Sequence, residues 1–186
     1  MESPPPPSHW FKLNSDGSFV GNPGRAGGGG IIKNAEGEWI KGYVRAIGNT
    51  TNVAAELWAL RDGIQLCLEL NLPAMIIKLD AMLVVELIRN ASHNPNGNNN
   101  IVVDCREGMS RILRVQIQHC YRGANKCADA LARRGVLIPC DFLVFDSPPV
   151  DVALLMSLDA VRAKHRSCFW FLVFNIFPVH PKKKNK

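Results

Sequence analysis

The sequence predicts an α/β domain: a mixed five-stranded sheet, its first three strands antiparallel, flanked by helices. Three observations carry the prediction. Short apolar or alternating runs come three in succession between Trp10 and Ile47, parted by the turn-rich stretches Gly21–Gly27 and Asn34–Gly37. A helical spacing follows in Leu57, Leu60, Ile64, Cys67 and Leu68. Beyond it, runs of strand length alternate with helical ones, as in β–α units.

The elements follow in order. Met1–Ser8 (MESPPPPS) holds four consecutive prolines and donates few backbone hydrogen bonds, so residues 1–9 read as an extended lead-in. Strands are expected at Trp10–Val20, Gly28–Lys33 and Trp39–Ile47. Gly27–Gly30 lacks the GKS/T ending and the following helix of a nucleotide loop, so its glycines are read as allowing close backbone approach within a strand. Thr50-Thr51-Asn52 supplies capping side chains for a central helix that runs to Leu70, and Pro73 breaks it. Ala74–Leu79 (AMIIKL) has the length and composition of a buried fourth strand, and a helix is expected from Asp80 to about Ala91. Asn94–Asn100 (NPNGNNN) reads as a loop; Val102, Cys105, Met109 and Ile112 mark another helix. A fifth strand at Val115–Tyr121 and a last helix from about Asn125 to Arg134 complete the order βββ-α-β-α-α-β-α. The domain is placed at residues 10–158 with its core at 10–137, a short helix being expected at Asp151–Leu158 and an irregular tail over 159–186.

With 186 residues and 47% hydrophobic content the chain can bury one good core. The net charge of +6 is unevenly placed: 15 Lys/Arg face 14 Asp/Glu through residue 150, against 7 and 2 beyond it. A nucleic-acid signal from bulk charge therefore belongs mostly to the tail and its basic end, Pro181–Lys186 (PKKKNK), where a solvated charge run is the commoner meaning and a nuclear-import signal or a phosphate-seeking arm the alternatives. Six scattered cysteines without a CxxC pair, and an opening unlike a signal peptide, predict a reduced intracellular protein without structural zinc; nucleus and cytoplasm are not distinguished. The apolar run Cys168–Phe177 is about half the roughly 20 residues a membrane-spanning helix requires, so no membrane partner is expected.

Four acids sit where such a fold would gather them: Asp16 within the first strand, Glu56 early in the central helix, Asp80 at the end of the fourth strand, and Asp129 in the last helix. Any one alone would pass for a cap or a surface residue. Together they repel and lose solvation unless a cation compensates, which points to a hard divalent metal, magnesium above all. Two such ions about 4 Å apart can activate water and stabilise the leaving oxygen of a phosphodiester.

The stretches DGSFVGNPGRAGGGGII around Asp16, TTNVAAELWAL around Glu56, IIKLD ending in Asp80 and RGANKCADALAR around Asp129 resemble ribonuclease H type 1, more closely its plant reverse-transcriptase-like, retrotransposon-derived branch. The resemblance covers about Trp10–Leu158 and implies the ribonuclease H-like fold. It also implies a metal-dependent endonuclease that cuts the RNA strand of RNA/DNA hybrids with two Mg2+ ions, Mn2+ being the alternative. Position by position it makes Asp16, Glu56, Asp80 and Asp129 the metal-binding and catalytic carboxylates, and Gly17, Asn22 and Asn52 contacts to the hybrid. Asn125 matches the asparagine beside the last acid, and its spacing from Asp129 suits both a shared site and a simple cap. His119 has the spacing of a histidine that assists proton transfer, yet lies in an apolar run that suits a structural strand histidine; Arg122 is the competing cation for the scissile phosphate.

Two departures from the pattern stand out. Asp80-Ala81 replaces an acid followed by serine, and NPNGNNN stands where some relatives carry a basic, Trp-rich grip. Affinity for duplex is therefore expected to be modest and salt-dependent, with a protein partner or a former fusion to a reverse transcriptase supplying substrate. A catalytically silent nucleic-acid-binding module and a protein-interaction scaffold are the competing readings.

Overall fold

A computed structural model of the chain describes residues 9–21, 24–90 and 99–161. The proline lead-in, Asn22, most of the NPNGNNN loop and the tail from residue 162, with Cys168 and the basic end, lie outside the described residues.

The sheet is formed by β1 (Phe11–Gly21), β2 (Gly24–Lys33), β3 (Trp39–Thr50), β4 (Ala74–Leu79), β5 (Arg114–His119) and β6 (Phe142–Phe145), in the order β5-β4-β1-β2-β3-β6. β1, β2 and β3 pair antiparallel, and β4 and β5 join β1 in parallel. The mixed sheet is as expected, with one correction to its size. β6, where the sequence suggested no element, adds a sixth strand antiparallel to β3. Its four residues are too few to show a period, and Pro139 and the Pro148-Pro149 pair bracket them with turn signals.

The helices are α1 (Asn52–Glu69), α2 (Met82–Arg89), α3 (Asn99–Ser110), α4 (Lys126–Gly135) and a last helix over 150–161, α5. The Thr51 hydroxyl accepts from the Ala54 N–H at 3.3 Å and so starts α1 as the capping residues predict. α3 begins at Asn99, so the last two residues of the expected loop are helical.

Side chains of β1 alternate between the faces, and each face has its own core. Leu13, Ile32 and Tyr43 meet Leu57, Leu60 and Ile64 of α1, and α2 and α3 close that side. Ile31 and Val44 meet Cys127 and Leu131 of α4 and Val152 of α5 on the other. Among the described residues, none of the cysteines forms a disulfide and no helix is long and apolar enough to cross a membrane.

The glycine run of β2 is what lets helices approach both faces of one strand. A Cβ on Gly29 would stand 2.3 Å from the Ala132 backbone nitrogen in α4, and one on Gly28 would stand 3.0 Å from the Ala59 Cβ in α1. Gly29→Ala is expected to destabilise the protein by about 1–3 kcal/mol, the usual cost of overpacking, measured by urea unfolding; an unchanged midpoint would mean that α4 is not seated on β2.

Candidate active site

Because β1 and β4 are parallel neighbours, their carboxyl ends open at one place, where ligands of α/β sheets commonly gather. Asp16 lies in β1, Asp80 is the first residue after β4, and Glu56 lies one turn into α1. One oxygen from each of Asp16, Glu56 and Asp80 lies within 4.8 Å of the others. The close approach of α1 to β1 depends on Gly17, where a Cβ would fall 2.5 Å from the Glu56 backbone nitrogen. The Gly17 N–H in turn donates to Glu56 Oε2 at 3.0 Å.

Asn125 closes the site from the α4 side. Its Nδ2 donates to the Ser15 carbonyl at 3.0 Å and lies 3.3 Å from Asp80 Oδ1 and 3.5 Å from Asp16 Oδ1. Asn14, on the same face of β1 as Asp16, donates from its own Nδ2 to Asn125 Oδ1 at 3.0 Å. The exposed Arg122 reaches Asp80 Oδ2 with its Nε at 3.5 Å and has 84% of its side chain open to solvent.

Crowded carboxylates hold their protons. Asp16, only 3% exposed, is pushed up to about 10, first by burial and then by Glu56 and Asp80. Glu56 is pushed up to about 8, again by burial first and then by Asp80, with the Gly17 N–H acting in the opposite sense. A divalent cation would remove both causes of strain. Three carboxylates that bring oxygens within 4.8 Å of one another offer the all-oxygen ligands that Mg2+ takes. The donor set fits a hard metal ion.

The other residues singled out in the sequence are placed as follows. Asp129 stands on the first turn of α4, near enough to raise the pKa of Asp16 and Glu56, but it is turned to Arg133 at 3.0 Å and is not one of the three close oxygens. Asn52 opens α1 one turn before Glu56, and its side chain accepts from the Val53 N–H at 2.9 Å. His119 is the last residue of β5, half-buried, with its ring edge-on to Tyr121 at 5.8 Å. Ala81 is the N-cap of α2 and offers no side chain to it, so the missing hydroxyl is also a missing helix cap. Asn14 was not singled out in the sequence. Lys12, Ser15 and Ser18 are also polar in β1, so its place two positions before Asp16, on the same face, does not mark it out.

A mixed sheet with this strand order and acids from β1, α1 and β4 defines an α/β domain of the ribonuclease H-like fold. Residues 14–135 match the family described as reverse transcriptase-like, and the chain belongs to it. An Arabidopsis thaliana protein named "Putative ribonuclease H protein" is 30% identical over 152 residues, which are 82% of this chain and 24% of that one; the chain thus spans about a quarter of the relative's length. Among solved structures, the N-terminal RNase H domain of a Mycobacterium tuberculosis protein, solved as a fusion with maltose-binding protein, is 28% identical with a TM-score of 0.64, covering 68% of this chain and 93% of that one. RNase H1 of the archaeon Halobacterium salinarum is 26% identical with a TM-score of 0.66, covering 68% and 97%.

Proposed function

We propose that this chain is a metal-dependent endonuclease that hydrolyses the RNA strand of RNA/DNA hybrids. The observation that carries the reading is the trio Asp16, buried, with Glu56 and Asp80, half-buried, whose oxygens crowd within 4.8 Å on an RNase H-like fold. The names of the Arabidopsis, mycobacterial and archaeal relatives support it, as does a similar fold, LC11-RNase H1, solved in complex with an RNA/DNA hybrid.

Asp16, Glu56 and Asp80 would hold Mg2+, with Mn2+ as a substitute, and Asp129 would join for a second ion once turned away from Arg133. Ions held by these carboxylates would lower the pKa of water and offset charge on the phosphate. Water attack on phosphorus with cleavage of the P–O3′ bond leaves a 3′-hydroxyl and a 5′-phosphate. The protein's own groups position the reactants. Asn125 and the Gly17 N–H hold the carboxylates in place, and Arg122, exposed beside Asp80, offers a cation to the incoming backbone. Asn52, at the start of α1, and Asn22 are the side chains assigned to the hybrid's minor groove, where 2′-hydroxyls separate RNA from DNA. His119, the last residue of β5, is the candidate for proton transfer, a structural strand histidine being the alternative.

Ala81 favours a second reading, a module that binds hybrids without cutting them, because the hydroxyl next to the third acid is missing. Labelled RNA/DNA hybrid, RNA duplex and DNA duplex, each with Mg2+ or EDTA, separate the two. Cleavage confined to the hybrid's RNA strand and stopped by EDTA is the expected result. Binding without cleavage by folded, metal-loaded protein would establish the silent module instead.

A further inference from the structure

The carboxylates of the site are oriented by an amide that has two ways round, and a second amide decides between them. Asn125 is 1% exposed and Asn14 is 7% exposed, so neither can exchange its hydrogen bonds with bulk water at low cost. In the observed orientation the Asn125 NH2 faces three acceptors, the Ser15 carbonyl, Asp16 Oδ1 and Asp80 Oδ1, while its oxygen faces the Asn14 NH2 at 3.0 Å. Turned over, the Asn125 oxygen would confront two carboxylates and a carbonyl, and its NH2 would confront that of Asn14. Donor would meet donor and acceptor would meet acceptor in a site with little water to relieve either.

We propose that Asn14 is a positioning residue for the metal centre: its buried amide fixes the orientation of the Asn125 amide, which holds the oxygens of Asp16 and Asp80 where a divalent cation needs them. This rests on reading the acid cluster as a metal site. Asn14 itself touches no acid in this network; it acts through Asn125, and the acids feel it only through which atom Asn125 presents. The arrangement also gives the buried amide of Asn14, in the middle of β1, a partner. Its place on the face shared by Asp16 and α4 is the one from which it can reach the first turn of that helix.

A purely structural role for Asn14, tying α4 to β1, would alter stability without altering metal affinity. The two are distinguished by Mn2+ binding to the full chain, measured by isothermal titration calorimetry for the wild type, Asn14→Leu, Asn125→Leu and the double variant, with folding checked by thermal unfolding in EDTA. Leucine keeps the branching and heavy-atom count of the Asn14 side chain, though not its volume, and removes its donor. Asn14→Leu is expected to weaken Mn2+ binding about tenfold, within the range typical of groups that orient metal ligands. On the Asn125→Leu background the same substitution should change the affinity less than twofold, because its intermediary is gone. Wild-type affinity in Asn14→Leu, or an effect that simply adds to that of Asn125→Leu, would overturn the inference. Asn14→Ala carries the same expectations should the leucine variant fail to fold. Absence of Mn2+ binding by the wild type would overturn the metal site and this inference together, whereas tight wild-type binding unchanged in the variants would overturn this inference alone.

Discussion

Asp16→Asn should lose hybrid cleavage by at least ~10^3-fold and, in the same preparation, melt at a higher temperature than the wild type in EDTA. The first effect follows from losing a metal ligand: metal-ion catalysis contributes several kcal/mol of transition-state stabilisation, and each 1.36 kcal/mol is about tenfold in rate. The second follows from the acid's surroundings. Asp16 is pushed up to about 10 by burial and by Glu56 and Asp80, so at neutral pH without metal the native state must either carry a proton there or bear a buried charge beside two others. Asparagine mimics the protonated acid at nearly the same volume and removes that cost. Each kcal/mol recovered is worth about 2–4 °C of melting temperature in a chain of this size. Single-turnover cleavage and thermal scans check the two halves. A variant that keeps a tenth of wild-type cleavage would remove Asp16 from the metal ligands, and one that melts lower in EDTA would mean that the carboxylate is anchored by contacts that an amide cannot replace.

The second large effect is expected when Mg2+ and pH are varied together. A carboxyl whose pKa is higher in the folded than in the unfolded state binds its proton more tightly when folded, so its contribution to stability falls as pH rises above the unfolded value. For Glu56 that fall runs from about pH 4.5 to about 8, and for Asp16 from about 3.8 to about 10. In EDTA the melting temperature should therefore decline from mildly acidic to alkaline pH, apart from changes due to other groups. Metal binding competes with these protons. Millimolar Mg2+ should stabilise little near pH 5.5 and increasingly toward pH 8.5, and the difference between the curves with and without metal isolates the site. A stabilisation by Mg2+ that is independent of pH would place the bound ion away from Asp16 and Glu56.

How much of this was legible in the sequence depends on what kind of signal each residue gives. β4 could be read to its end residues because Ala74–Leu79 is a continuous apolar run bounded by Pro73 and Asp80. β2 was read from Gly28, although it begins at Gly24, because glycine carries no side-chain period and looks like a turn until helices are seen packed against it. β6 was missed for a related reason: its pairing with β3 supplies a stability that four residues do not advertise locally. In the site, Asp16, Glu56 and Asp80 converge as the order of motifs implies. The ion pair that turns Asp129 toward Arg133 is an i,i+4 contact that the spacing allows but does not require. Asn14 escaped notice because its partner is 111 positions away, beyond the reach of any local pattern.

The acids and the asparagines that hold them come from β1, α1, β4 and the start of α4, so the pocket is closed by segments from opposite ends of the domain. During synthesis the first three carboxylates emerge long before the residue that braces them. The braced acid cluster therefore exists only once α4 has docked against β1, the last of its parts to be made.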